Sequence, residues 1–193
     1  LSSNHLSGSL PESVGKLRRL SVLRLFHNNL SGTLPNSLCE VQTLVELDIT
    51  SNQLSGEICE GIGELYRLKK LLLSNNMFSG NIPSSISGLE SLSTLSLSNN
   101  QLTGEIPDEM GDLTSLHTLS LDNNQLIGSI PESISAMTNL TSLSLSQNKL
   151  TNELPSGLNH LKSLTALNLS ENNLSGSIPD IFDQLSKLVE IKL

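Results

Sequence analysis

The stretch LTSLHTLSLDNNQLIGSIP, residues 113–131, places Leu113, Leu116 and Leu119 three apart, then Leu121 two further on, then Leu126 and Ile130. The turn that begins at Leu89 repeats it, with Leu89, Leu92, Leu95, Leu97, Leu102, Ile106 and Met110 apolar and Asn100, Gly104 and Pro107 between them. Residues two apart share one face of a strand, whereas steps of three suit a tight helical turn, so each copy predicts a short strand preceded by such a turn. Working outward, Asn124 belongs to a column of Asn4, Asn28, Asn52, Asn76, Asn100, Asn124, Asn148 and Asn172, each 24 residues from the last without insertion or deletion. Substitutions in the apolar columns remain apolar, as at Val41, Phe78, Met137 and Phe182.

A 24-residue unit turns several leucines inward but cannot bury them alone. Stacked units bury them, with strands about 4.8 Å apart in a parallel sheet and eight units making a rod of roughly 40 Å. The asparagine column reads as structural, since a stacked side-chain amide pairs with backbone groups that a sharp turn leaves unsatisfied. Gly8, Gly32, Gly56, Gly80, Gly104, Gly128 and Gly176 mark a crowded or unusual backbone point, and Asn152 breaks their column. Prolines open the next segment, often followed by an acid, as in Pro11-Glu12, Pro107-Asp108, Pro131-Glu132 and Pro179-Asp180, which suits a helix start.

The pattern LxxLxxLxLxxNxLxGxIP resembles the plant-specific class of leucine-rich repeats, and the resemblance covers the whole chain. That class includes the ectodomains of receptor-like kinases and receptor-like proteins, and the polygalacturonase-inhibiting proteins. The resemblance implies an α/β repeat solenoid: a right-handed superhelix with a parallel β-sheet on its concave face and short 3-10 or helical segments on the convex side. Residues 1–193 then form a single solenoid of eight repeats. Leu1 and Leu193 occupy the same phase and no polar cap with paired cysteines closes either end, so the chain reads as an excerpt from a longer solenoid.

Aromatic residues make up only 2%, with no Trp, so the interior must be filled by leucine and isoleucine in a uniform cross-section. A net charge of −8 argues against a nucleic-acid partner, and no apolar run approaches the roughly 20 residues that a bilayer span needs. His5, His27, His117 and His160 lie in different repeats, and neither HExxH nor GxSxG occurs. The motifs therefore point to a non-enzyme without cofactor or metal. Between Leu71 and Asn148 there is no Lys or Arg, and a calcium site around Glu105, Asp108, Glu109 and Asp112 competes with a simple solvated acidic edge.

In the class it resembles, the exposed strand face binds ligands. Here that face differs along the chain: Arg24, Phe26, His27, Glu46, Asp48, Lys70 and Leu72 mix charges with an aromatic and an apolar tip, whereas Thr94, Ser96, Thr118, Ser120, Ser142 and Ser144 are small hydroxyls. The first group is expected to contact a protein, peptide or glycan, alongside a co-receptor. The competing reading makes it two cross-strand pairs, Arg24 with Asp48 and Glu46 with Lys70. The rival functions are an inhibitor docking on a cell-wall-degrading enzyme, and an ice-binding or structural repeat protein built on the hydroxyl rows.

Sequons at Asn29, Asn139, Asn168 and Asn173 are glycan sites if the chain is secreted. With the resemblance they favour an extracellular or cell-surface location, and an intracellular one stays open. Cys39 stands where most repeats have a small residue, and Cys59, one repeat later, takes the place of proline. Regular geometry sets their Cα atoms about 7 to 9 Å apart, so a disulfide and two independent thiols both remain possible, and loss of the proline is expected to relax the backbone there.

Overall fold

The computed structural model describes residues 1–178, 180 and 182–193. The proline at 179 and the apolar side chain at 182 lie outside the described residues. The step-of-two leucines form a ladder of three-residue strands: Val22–Arg24, Glu46–Asp48, Lys70–Leu72, Thr94–Ser96, Thr118–Ser120, Ser142–Ser144, Ala166–Asn168 and Glu190–Lys192. All eight run parallel in one sheet in chain order, and every pair is in phase, as in Leu95 opposite Leu119 opposite Leu143. The middle side chain points inward and its neighbours point out, because alternate residues of a strand face opposite sides. This is the concave face of a leucine-rich-repeat solenoid.

The opposite side is built from 3-10 helices: Glu12–Lys16, Asn36–Glu40, Glu60–Glu64, Ser84–Gly88, Asp108–Asp112, Glu132–Ala136, Ser156–His160 and the shorter Phe182–Gln184. Proline stands at the cap just before the helix rather than inside its first turn. Pro107, for example, is extended at φ −66°, ψ 142°, and its carbonyl accepts the N–H of Met110 at 3.0 Å. Proline suits this place because its ring fixes φ and it needs no donor. Cys59 keeps the same backbone, φ −67° and ψ 145°, so replacing the proline has not relaxed the chain there.

Between strand and helix each coil crosses a flank, and here a second parallel sheet forms that the apolar spacing does not announce. Its strands are Ser7–Gly8, Asn29–Gly32, Gln53–Glu57, Met77–Asn81 and Gln101–Thr103. They pair with a stagger: Ser79 lies opposite Gln101, 22 residues on, whereas the concave strands pair 24 residues on. Beyond Thr103 the flank keeps the same backbone bonds, as from Ile127 N–H to the Gly104 carbonyl at 2.9 Å and from Thr151 N–H to the Gly128 carbonyl at 2.8 Å.

Leucine and isoleucine fill the interior, and the odd members of the apolar columns, Val41, Phe78, Met110 and Met137, are fully buried among them. At roughly 25 cal/mol per Å² of apolar surface, this continuous row is the main force holding coil to coil.

Candidate ligand-binding face

Each coil presents its exposed strand residues because the asparagine just beyond them locks the turn. Asn76 is buried; its Oδ1 accepts the N–H of Leu54 at 3.0 Å, and its Nδ2 donates to the carbonyls of Ile49, Leu73 and Ser74 at 3.0, 3.1 and 3.3 Å. Asn28, Asn52, Asn100, Asn124, Asn148 and Asn172 repeat this arrangement, while Asn4 in the first coil makes only the bonds within its own turn, to the Leu1 and Ser2 carbonyls. The residue before each asparagine is left-handed: Ser3, His27, Ser51, Asn75, Asn99, Asn123, Gln147 and Glu171 have φ between 52° and 57°. Sequence reasoning missed this column. The doubled asparagines at 75–76, 99–100 and 123–124 were the available signal, since asparagine tolerates this region better than most residues.

On the face so fixed, Arg24 lies opposite Asp48 and Glu46 opposite Lys70. The ion pair that forms is neither of those; it runs diagonally from Arg24 to Glu46. Arg24 grips both carboxylate oxygens, Nε on Oε1 and Nη2 on Oε2 at 2.9 Å. Asp48 is occupied otherwise, its Oδ1 accepting the N–H of Thr50 at 3.1 Å. The Glu46 side chain is only 13% exposed, against 52% for Arg24. Arg24 hydrogen bonding holds the Glu46 carboxyl below the usual carboxylate range, burial opposes it, and the charges of Arg24 and Lys70 add to the lowering. In return Glu46 raises the Arg24 guanidinium.

Phe26 and Leu72 are half-buried, and Lys70 is exposed. His27 stands at the turn beyond its strand and sets its ring edge-on to Phe26, with centroids 5.6 Å apart. The structure thus brings Arg24, Glu46, Asp48, Lys70 and Leu72 onto three adjacent strands, with Phe26 at their rim and His27 off the strand face.

Further along, a few side-chain bonds cross between coils. Ser74 and Ser96 share a bond of 2.6 Å, Ser98 donates to Asp122 at 2.8 Å, and Asn168 donates to Ser146 at 3.1 Å. Asn168 also accepts from the Ser170 hydroxyl at 2.8 Å and is half-buried, whereas Asn29, Asn139 and Asn173 are exposed. Cys39 and Cys59 are free thiols with their sulfurs 2.9 Å apart. Glu105, Asp108, Glu109 and Asp112 are all exposed, and among the described residues no group of three or more His, Cys, Asp or Glu converges on a metal-sized site. Nor is any helix among the described residues long and apolar enough to cross a membrane.

Comparison with known proteins fits this geometry. The leucine-rich repeat region family matches residues 95–193, more than half of the chain, and leucine-rich repeat families match residues 19–41, 42–63 and 67–89. Curated proteins give no match. Among solved structures, the chain is 42% identical to the Arabidopsis receptor kinase HAESA, solved in complex with the peptide hormone IDA and the co-receptor SERK1; it aligns over 100% of its length and 32% of HAESA's, with a TM-score of 0.96. It is 33% identical to the leucine-rich-repeat ectodomain of GASSHO1/SCHENGEN3 from Arabidopsis thaliana, covering 100% of this chain and 26% of that one, with a TM-score of 0.81. A plant ice-binding protein is 28% identical over 98% of this chain and 70% of its own, with a TM-score of 0.75. The chain spans about a third or less of these two receptor chains. With its strand ladder, asparagine column and matching families, the chain belongs to the leucine-rich-repeat proteins.

Proposed function

We propose that this chain is part of the extracellular, non-catalytic recognition region of a receptor-like kinase or receptor-like protein, and that the concave face between Val22 and Leu72 binds a peptide. The observation that carries this reading is the contrast along one face. Arg24, Glu46, Asp48, Lys70 and Leu72 occupy adjacent strands with Phe26 at their rim, whereas the same columns from Thr94 to Ser144 hold small hydroxyls and one carboxylate, Asp122. A peptide laid across the early strands meets apolar ledges at Phe26 and Leu72, a fixed Arg24–Glu46 pair, and Lys70, which has no ion-pair partner among the described residues. An aromatic beside charged groups held in place is the composition of binding hot spots.

The peptide hormone and co-receptor in the HAESA complex support a peptide ligand and a second protein partner here. Calorimetric titration of the purified protein with the IDA peptide and a panel of other plant peptide hormones tests the reading. Saturable binding of one of them is expected. No binding across the panel counts against a peptide receptor.

The plant ice-binding neighbour and the hydroxyl rows favour a second reading, ice binding. The Ser74–Ser96 bond weakens it at one point of those rows, because that hydroxyl is already engaged within the protein. An ice-recrystallisation assay separates the two, since only an ice-binding face inhibits crystal growth.

A further inference from the structure

We propose that Cys39 and Cys59 form a redox-active dithiol, in which Cys59 is the thiolate that attacks a small cationic disulfide and Cys39 is the thiol that resolves the product into a cross-coil bridge. Their sulfurs lie 2.9 Å apart on neighbouring coils, so the two thiols are already in contact. The approach has a built cause. At this edge of the stack a side chain from one coil meets the next at a fixed point, and one partner is glycine: Gly15 against Ser37, Gly63 against Ser85, Gly111 against Ser133 and Gly157 against Ser135. Against Cys39 the glycine is Gly61, where a methyl group would come 3.0 Å from the Cys39 Cβ and 3.4 Å from its sulfur. Gly61 therefore leaves the space in which Cys39 reaches Cys59.

The two thiols are placed unequally. Cys39 is buried, while Cys59 is half-buried and lines an open groove of about 640 Å³. Hydrogen bonding from Cys39 lowers the Cys59 thiol to about 7, against the opposing effect of burial, and the backbone groups of Cys59, Ile62 and Gly61 help it. The same contact, together with burial, raises Cys39. A thiolate present at neutral pH and open to solvent is the attacking group of an exchange reaction. Glu57, Glu60 and Glu105 line the groove as well and repel anionic disulfides, which is why the oxidant is cationic.

The reaction balances. The Cys59 thiolate attacks one sulfur of the disulfide, its S–S bond breaks, and one small thiolate leaves. Cys39 then loses its proton to water and attacks the Cys59 sulfur, forming the Cys39–Cys59 bond and expelling the second thiolate. The two electrons that the protein loses reduce the small disulfide. None of this depends on the concave face or its ligand.

Cystamine, a cationic disulfide, is the probe, applied to the reduced, folded protein at neutral pH. Peptide mapping without reduction is expected to show Cys39 linked to Cys59 and no adduct left on either. Cys39→Ser is expected to stop at a stable cystamine adduct on Cys59, because the resolving thiol is gone. Two thiols that stay free and alkylatable in the wild-type protein overturn the proposal. A wild-type adduct that accumulates on Cys39 instead overturns the assignment of roles, even where the serine variants fail to fold.

Discussion

The Oδ1 atom of Asn124 accepts the backbone N–H of Leu102 at 3.0 Å, joining one coil to the next at a point closed to water. The Nδ2 of the same amide donates to the carbonyls of Leu97 at 3.1 Å and Leu121 at 3.0 Å. Asn124→Ala leaves the Leu102 N–H buried without its acceptor, while the Leu97 and Leu121 carbonyls keep the amides of Asn100 and Asn148. One orphaned donor costs about 1–3 kcal/mol, and a loss of that size in urea unfolding is expected. A loss below about 1 kcal/mol means that water replaces the amide and that the column is not what closes the turns.

The glycine column makes a second, separable prediction. Gly128 has φ 77°, and a Cβ there would lie 2.9 Å from both Cγ and Oε1 of Glu105 in the preceding coil. Gly128→Ala therefore carries two costs: about 1–2 kcal/mol for a left-handed alanine, and a steric cost from Glu105. Combining it with Glu105→Ala is expected to recover the steric part alone, which a double-mutant cycle reads as a coupling energy. Strict additivity contradicts the packing described. Asn152, left-handed at φ 67° in this column, shows that the conformation itself is tolerated by asparagine.

The diagonal ion pair predicts a pH response. Because Arg24 holds Glu46 below its ordinary value, the stabilisation is present above the unfolded pKa of about 4.3 and is lost as pH falls through the folded value. In an NMR titration Glu46 is expected to protonate below that ordinary value. Arg24→Ala is expected to raise it to the ordinary range or above, since burial then acts without its counterweight, and Lys70→Ala to raise it less. An unmoved Glu46 in Arg24→Ala contradicts the pairing.

Leucine spacing made the coil, the concave strands and the in-phase stacking legible, because burial of Leu95 and Leu97 leaves one register for a period of 24. The flank sheet was not legible. Its strands alternate serine with leucine and glycine, as in Gln53–Glu57, and their pairing comes from backbone groups that carry no sequence signal. The charged columns were found in sequence but paired differently, since register places Arg24 opposite Asp48 while side-chain length and the Thr50 N–H decide which carboxylate it reaches. The cysteine contact depended on Gly61, whose role shows only when the neighbouring coil is in place.

The central claim is that the early concave face, and not the hydroxyl-rich one, binds the ligand. Asp48→Ala is a poor probe, because Asp48 also supports the Thr50 backbone. The direct measurement is peptide affinity for Phe26→Ala and Lys70→Ala beside Ser120→Ala, with folding checked by circular dichroism. The first two are expected to weaken binding by about tenfold or more, and Ser120→Ala to leave it within about twofold. Equal affinity in all three proteins, or a loss confined to Ser120→Ala, contradicts the account.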